Sequence, residues 1–287
     1  MKSILPPDDH PITPRFKPPA GACDSHCHIF GPAAQFPYAA ERRYTPADAP
    51  KAALRALHRH LGLQRAVLVQ ASCHGNDNRA MLDAIADSNG AMRGVAMVTA
   101  TVSDTELRAL HAGGVRALRF NFVAHLGGAP DIAATHALIS RITPLGWHVV
   151  LHLDAEDIGT YRGFLDALRI PFIIDHMGRP PAANGLDQAP FRAMLEVMRN
   201  PLAWVKVSGP ERISSLGPPF QDAIPFMRAL IAAAPDRTLW GTDFPHPNVK
   251  WMPNDGALVD VFAAACDDLA LQQKILVDNP TRLYWAD

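Results

Sequence analysis

The strongest constraint on the fold of this chain is the regular alternation of short apolar runs with longer amphipathic stretches. Most of the eight runs are rich in Val, Ile, Leu and Ala, and apolar residues recur at helical spacing between them. Buried strands that alternate with helices are typical of parallel β-α-β units in α/β proteins. The runs cover residues 22–27, 65–70, 93–98, 115–120, 147–152, 171–175, 203–208 and 237–242.

Eight such units in 287 residues predict a single (β/α)8 TIM barrel. An open, doubly wound sheet is less consistent with the chain, because no glycine-rich phosphate-binding turn follows the first run. The clearest helical stretches cover residues 50–62, 78–90, 103–114, 189–200 and 224–235, and several of them end at Gly or Asn.

The first twenty residues differ from the rest of the chain because they contain six prolines. Proline lacks a backbone N–H, so this segment cannot sustain a helix or a central strand. We expect residues 1–20 to form an extended N-terminal arm and residues 21–287 to form one barrel domain, since no linker or repeat interrupts them.

Composition excludes several classes of partner. The formal net charge is −1 and there is no Lys or Arg run, so we expect no nucleic-acid or membrane partner. The N-terminal segment is too proline-rich for a signal peptide, and the four cysteines form no CxxC pair, which favours a cytoplasmic enzyme. Either a monomer or a small homo-oligomer is compatible with the sequence.

Polar side chains gather at the C-terminal ends of the predicted strands, where TIM barrels carry their chemistry. His26 and His28 are two positions apart, so on a strand they share a face. Asp175 directly precedes His176, and strand alternation predicts that it points the opposite way, toward a helix. The strand-end residues are His26, His28, Ser72, His74, Arg119, His152, His176, Ser208, Arg212 and Asp243.

Several chemistries are open to these residues. Imidazoles together with the carboxylate of Asp243 suit Zn²⁺ or a similar ion. The same histidines could instead donate to an oxyanion while Asp243 activates water as a general base. Neither Ser72 nor Ser208 lies in a G-x-S-x-G motif, so water is a better nucleophile than either serine. Arg119 and Arg212 predict an anionic substrate, although either could form an internal salt bridge.

A family resemblance emerges from the longer motifs. The segments "DSHCHIFGP" (24–32), "VRALRFNFV" (115–123), "IIDHMGRP" (173–180), "VKVSGPERI" (205–213) and "LWGTDFPHPN" (239–248) resemble the amidohydrolase superfamily. Within it they are similar to the group that includes 2-pyrone-4,6-dicarboxylate lactonase. The resemblance implies a distorted TIM barrel and a lactonase that hydrolyses a cyclic ester with acidic substituents in aromatic-compound degradation.

The resemblance also implies roles for individual residues. Asp243 would activate water, and His26, His28 and His176 would surround the lactone carbonyl without a required metal. Acidic groups of the substrate would be held by residues that match the group's binding positions, which are Tyr44, Ser72, Arg119 and Arg212.

Two positions depart from the lactonase pattern. His125 stands where the lactonase has an arginine, which removes a bidentate carboxylate clamp and argues against pyrone-dicarboxylate itself. A 4-sulfomuconolactone-type substrate is therefore an alternative, with His125 and His152 counted among the substrate-binding residues.

His152 stands where the lactonase has a tyrosine, at the strand-five position that supplies a ligand in metal-dependent relatives. We therefore expect one divalent ion, zinc, held by His26, His28, His152 and Asp243, with no metal as the alternative. Two other functions use the same pocket: a zinc-dependent decarboxylase of an aromatic or ring-fission acid, and a non-catalytic barrel that senses a metabolite.

Overall fold

Eight parallel strands wind into a barrel in the computed structural model, which describes residues 2–286. The strand order is β2-β4-β5-β6-β7-β8-β9-β10, and β1 pairs with β3 in a separate small sheet. The strands are β1 Lys2–Ser3, β2 Cys23–Cys27, β3 Tyr44–Thr45, β4 Arg65–Val69, β5 Met92–Ala96, β6 Val115–Asn121, β7 His148–His152, β8 Phe172–Ile174, β9 Ala203–Lys206 and β10 Thr238–Leu239.

Helices surround the barrel and follow its strands. The five helices predicted from apolar spacing are all present, and each of the eight predicted strands is confirmed. The α-helices are α1 Lys51–Leu61, α2 Arg79–Ala86, α3 Asp104–Ala112, α4 Ile132–Ile142, α5 Ile158–Ala167, α6 Ala189–Val197, α7 Pro210–Ile213, α8 Ile224–Ala233, α9 Asp255–Ala265, α10 Leu269–Gln273 and α11 Asn279–Tyr284.

Local signals explain where helices begin and end. Ser103 caps α3 by accepting from the backbone N–H of Glu106, whose carboxylate reaches back to the Ser103 backbone in a capping box. Gly62 ends α1 with φ of 78°, a left-handed conformation that favours glycine. None of the helices within residues 2–286 is long and apolar enough to cross a membrane.

The barrel closes between its first and last strands through backbone hydrogen bonds. Ser25 N–H donates to the carbonyl of Trp240 at 2.9 Å, and Asp243 N–H donates to the carbonyl of His26 at 2.7 Å. We call this contact between β2 and the chain leaving β10 the seam. It joins the two segments that carry His26, His28 and Asp243.

The interior of the barrel is apolar in its lower part and polar toward the C-terminal ends of the strands. Because side chains on one face recur every second residue, Arg119 follows Ala117, His152 follows Val150 and Lys206 follows Trp204 on the inward face. The apolar layer is made of Cys23, Val67, Val69, Val95, Ala117, Val150, Ile173, Trp204, Leu239 and Tyr284.

The N-terminal residues lie in an extended conformation against α9. Asp260 accepts the backbone N–H groups of Arg15 and Phe16 at 2.8 and 2.9 Å. Ile12 passes so close to Gly256 that a side chain there would collide with its carbonyl. The division into an arm of residues 1–20 and a domain of residues 21–287 stays a prediction.

Candidate active site

The predicted site residues surround one cavity at the C-terminal ends of the barrel strands. Of the ten residues predicted to act in catalysis or substrate binding, nine line the cavity, and His26 lies directly beneath it with none of its surface exposed. The strand-end residues His74 and Ser208 do not line it. Leu126, Pro247 and Asn248 were not predicted. The lining consists of His28, Tyr44, Ser72, Arg119, His125, Leu126, His152, His176, Arg212, Asp243, Pro247 and Asn248.

Asp243 is the centre of the site. Its Oδ1 lies 3.2 Å from Nε2 of His28, 3.5 Å from Nε2 of His26 and 3.7 Å from Nε2 of His176. Its Oδ2 accepts from Nε of Arg212 at 2.9 Å and from a second guanidinium nitrogen of the same side chain. One carboxylate therefore lies between three imidazoles and a guanidinium.

Backbone conformation brings these groups together. Asp243 has φ of 66° and His176 has φ of 51°, both in the left-handed region. Such a conformation costs a non-glycine residue about 1–3 kcal/mol, so the surrounding contacts must hold it. For Asp243 these contacts are the seam hydrogen bond to His26 and the ion pair with Arg212.

Hydrogen bonds fix the imidazole rings from outside the cavity. Nδ1 of His28 lies 2.8 Å from the carbonyl oxygen of Val69, which can only accept, so this nitrogen carries a proton. Nδ1 of His176 lies 3.0 Å from Oγ of Ser208. Both rings therefore direct Nε2 toward Asp243.

Burial and charge set the protonation states. Burial by itself would raise the pKa of Asp243, but the positive charge of Arg212 holds this pKa well below its usual range. Burial lowers the pKa of His176 well below its usual value, and burial with the Coulombic effect of Lys206 lowers the pKa of His26 to about 4. An ionised carboxylate therefore faces neutral His26 and His176 at neutral pH.

The donor atoms fit a metal ion in part. Ligand atoms of His26, His28 and Asp243 lie within 4.8 Å of one another. Zinc–nitrogen bonds of 2.0–2.1 Å give a tetrahedral ligand separation of about 3.3 Å, close to the observed 3.2 and 3.5 Å. Nε2 of His26 is buried without a hydrogen-bond partner, as expected of a nitrogen available to an ion.

His152 does not join this group. Among residues 2–286, no cluster of three closely spaced metal-ligating side chains includes it. Its Nδ1 lies 3.3 Å from Oδ1 of Asn121, and its ring centroid is 6.0 Å from that of His176. His176 is therefore better placed than His152 to supply a fourth ligand, although the sequence predicted His152.

The positive charge at the cavity comes from two arginines. Arg119 is 7% exposed, and its guanidinium lies 3.4 Å from Oδ2 of Asp175. Arg212 has Glu211 at 3.5 Å in addition to Asp243. Burial, then Arg179, lowers the pKa of His125, so this side chain adds no fixed charge. Each arginine therefore has an internal acidic partner and also faces the cavity.

Around the arginines lie neutral hydroxyl groups. Oγ of Ser72 donates to the hydroxyl oxygen of Tyr44 at 3.3 Å, and both side chains line the cavity. These groups can accept or donate hydrogen bonds to oxygens of a bound acid group.

Two charged residues in the site escaped prediction. Lys206 is completely buried, with Nζ 3.0 Å from Nδ1 of His26 and 3.1 Å from Oδ1 of Asp175. The expectation that Asp175 faces a helix was wrong: β8 ends at Ile174, and the turn through His176 cancels strand alternation. Lys206 could have been found as a lysine on the inward face of a predicted strand.

A profile of the amidohydrolases matches residues 23–285 of the chain. The chain belongs to the amidohydrolase family. Members of this family are enzymes and are typically metal-dependent. The matched region contains the whole barrel, with His26 on its first strand, His28 directly after that strand and Asp243 after the last strand.

Known relatives of this amidohydrolase span almost its full length. A 2-pyrone-4,6-dicarboxylate hydrolase from Comamonas testosteroni is 49% identical over 97% of this chain and 94% of the relative. A 4-sulfomuconolactone hydrolase from Rhizobium radiobacter is 40% identical over 94% of this chain and 91% of the relative.

A solved structure agrees with the fold. It belongs to a Pseudomonas putida protein provisionally assigned as a 2-pyrone-4,6-dicarboxylic acid hydrolase. The two chains are 35% identical and superpose with a TM-score of 0.82 over 92% of this chain and 97% of the other.

Proposed function

We propose that this amidohydrolase opens a lactone ring that carries acidic substituents, in the degradation of aromatic compounds. The observation that carries the proposal is the ionised Asp243, which lies within 3.2–3.7 Å of three imidazoles below a cavity with two arginines at its wall. The lactone hydrolases related to this chain support the same reaction class.

The reaction follows from these groups. Asp243 Oδ1 accepts a proton from water, and the hydroxide oxygen bonds to the carbonyl carbon of the lactone. His176 presents an Nε2–H donor to the developing oxyanion when its Nδ1 accepts from Ser208. The ring carbon–oxygen bond then breaks, and Asp243 returns the proton to the leaving oxygen. The products are a carboxylic acid and a hydroxyl group on one open chain.

Substrate acid groups are assigned to the arginine side of the cavity. Arg119 and Arg212 can each pair with a carboxylate or sulfonate, and Tyr44 and Ser72 supply hydroxyl groups beside them. His125 is neutral and lacks the fork geometry of an arginine. The site therefore suits a lactone whose acid groups need fewer arginines than those of pyrone-dicarboxylate. A 4-sulfomuconolactone-type substrate is the second candidate.

The proposal is tested by assaying the purified protein on matched lactones. The panel contains 2-pyrone-4,6-dicarboxylate, 4-sulfomuconolactone and a muconolactone without the second acid group, with ring-opened product followed by chromatography. We expect hydrolysis of at least one acidic lactone. Release of carbon dioxide from an aromatic acid would instead show a decarboxylase, and tight binding without turnover would show a sensing barrel.

We further propose that one zinc ion binds to His26, His28 and Asp243, with His176 as the nearest additional nitrogen. When bound, the ion would supply Lewis-acid polarisation of the carbonyl. Val69 and Ser208 hold the Nδ1 atoms of His28 and His176, so both rings keep their orientation toward Asp243 with or without the ion.

Metal removal tests the zinc proposal separately. We expect about one zinc per chain in the purified protein, loss of activity after chelation and recovery on adding zinc. The His28→Asn variant should lower the zinc content, whereas His60→Asn, on the outer helix α1, should not. Full activity in a protein free of metal would contradict the zinc proposal and leave the lactonase proposal intact.

A further inference from the structure

We propose that Asp175 and Lys206 are positioning residues for the reaction, and that this buried pair couples the orientation of His26 to that of Arg119. The inference rests on the proposed function, since it assigns His26 to the reacting carbonyl and Arg119 to the substrate's acid group. Neither Asp175 nor Lys206 lines the cavity.

The contacts form a continuous path beneath the cavity. Nζ of Lys206 lies 3.1 Å from Oδ1 of Asp175, and both atoms contact Nδ1 of His26, at 3.0 and 3.2 Å. The other oxygen of Asp175, Oδ2, lies 3.4 Å from the guanidinium of Arg119. One carboxylate thus contacts a candidate catalytic imidazole and a candidate substrate-binding arginine.

The other two imidazoles show what this pair does for His26. His28 is held at Nδ1 by the carbonyl of Val69, and His176 is held at Nδ1 by Ser208. His26 has Lys206 and Asp175 at the equivalent position. Groups behind an imidazole fix its ring plane and decide which nitrogen carries the proton, and their removal commonly costs 10- to 100-fold in activity or metal affinity.

Stability alone gives little reason for a charged pair here. Burying two charges costs several kcal/mol per ion, and replacing a buried pair with apolar groups of similar size is often neutral or stabilising. Both Lys206 and Asp175 are completely buried, in a layer directly above the apolar interior of the barrel. The charged pair contacts His26 and Arg119 and can hold them in place, which an apolar pair could not do.

Arg119 depends on the same carboxylate. Within residues 2–286, Asp175 is its acidic partner, and Nε of Arg119 is buried without a hydrogen bond. Loss of the Asp175 carboxylate should therefore leave both His26 and Arg119 less well oriented. We expect the change at Arg119 to raise KM, because this residue acts on substrate binding. We expect the change at His26 to lower kcat, because this residue acts on the chemical step.

The decisive variant is the double substitution Asp175→Asn with Lys206→Met, which removes both charges at once. Either single substitution leaves an uncompensated buried charge and tests folding more than function. For the double variant we expect a melting temperature close to that of the parent, a kcat lowered about 10- to 100-fold and a raised KM for the acidic lactone. A purely structural pair would leave both constants unchanged once the fold is retained.

Nitrogen NMR gives a readout that does not depend on turnover. In protein labelled with 15N-histidine and freed of metal, we expect the His26 ring to show one defined tautomer, with its signals assigned by their loss in His26→Gln. In the double variant these signals should move toward a mixture of tautomers, while those of His28 stay in place. Tyr284→Phe is the matched control, because this buried neighbour on the barrel floor contacts His148 instead of His26.

The outcomes separate the two proposals. A double variant with the parent's melting temperature, kcat, KM and His26 signals would overturn the positioning role. A parent protein that hydrolyses no acidic lactone would overturn the proposed function, and the NMR comparison would still decide whether the pair positions His26.

Discussion

At the scale of single residues, the main feature is a carboxylate that is buried and still ionised. Arg212 contacts one oxygen of Asp243, and the three imidazole Nε2 atoms lie on the side of the other. Oδ1 is therefore the oxygen that faces the imidazoles, where a water molecule or an ion would bind. The sequence predicted the residue, and the contact with Arg212 explains how its charge is tolerated.

Asp243→Asn tests the role of this carboxylate. The amide keeps the size of the side chain but cannot accept a proton from water, so we expect kcat to fall about 10²- to 10⁴-fold. Circular dichroism should show an unchanged fold. A variant that retains most of the parent's activity on the true substrate would contradict the mechanism.

Arg119→Met tests the assignment of the anion site. Loss of a hydrogen bond to a charged group costs about 1.5–3 kcal/mol, so kcat/KM for an acidic lactone should fall about 10- to 100-fold. A neutral lactone should be affected less. Arg116→Met is the control, because Arg116 lies on the same strand and bonds to the carbonyls of His111 and Val115 outside the cavity. Equal losses for acidic and neutral lactones would remove Arg119 from substrate binding.

At the scale of elements, the seam between β2 and the chain leaving β10 does most to assemble the site. Asp24 accepts from the backbone and hydroxyl of Thr242 at 3.0 and 2.6 Å and from the backbone of His26 at 3.1 Å. Nε2 of His58, on α1, lies 3.0 Å from Oδ2, the oxygen that also accepts from the Thr242 hydroxyl. One buried carboxylate therefore fixes the segment of the histidine pair to the segment of Asp243.

Gly241→Ala tests the seam. A Cβ at this position would overlap the backbone nitrogen of His26 and lie 2.7 Å from Oδ1 of Asp24, so β2 would have to move. We expect a lower melting temperature. We also expect a lower kcat at temperatures where the variant is still fully folded. Gly159→Ala is the control: Gly159 lies in α5 with open space around it, and alanine there should stabilise the helix by about 0.5–1 kcal/mol. A fully active Gly241→Ala variant would show that the seam tolerates displacement.

At the scale of the whole molecule, burial of histidine links stability to pH. Burial lowers the pKa of His148 to about 3, and burial followed by Lys206 lowers the pKa of His26 to about 4. Burial also holds the pKa values of His152 and His176 well below their usual range. Below about pH 6.5 the unfolded chain binds protons that the folded protein excludes.

We therefore expect the free energy of unfolding to be highest above about pH 6.5 and to fall as the pH drops from there toward about 4. Urea unfolding with a chelator present, at several pH values, measures this slope. His148→Leu should reduce the slope near pH 5 by about 1.4 kcal/mol per pH unit, because one excluded proton is removed. A free energy that stays constant between pH 8 and 5 would contradict the prediction.

The buried carboxylates add a second, more acidic window. Burial opposes ionisation of Asp24 and Asp175, but His58 and Thr242 lower the pKa of Asp24, and Lys206 and His26 lower that of Asp175. Their contribution to stability is present above the ordinary carboxyl pKa of about 3.9 and is lost as the pH falls below it.

The sequence alone determined the barrel and most of the polar residues at its C-terminal rim. Periodicity shows which runs are buried strands, and parallel strands necessarily present their C-terminal ends at one rim, so His26, His28, Arg119 and Asp243 could be expected to meet. The capping box of α3 is equally local, because Ser103 and Glu106 are three residues apart.

Tertiary structure decided the contacts inside that rim. His152 and His176 are both strand-end histidines, yet only the left-handed turn at His176 brings its Nε2 within 3.7 Å of Asp243. Asp175 faces inward because the same turn breaks the alternation that sequence reasoning assumed, and it meets Lys206 from the next strand. Distances of a few tenths of an ångström decide which atoms share a proton or an ion, and they depend on backbone angles and packing between segments far apart in the chain.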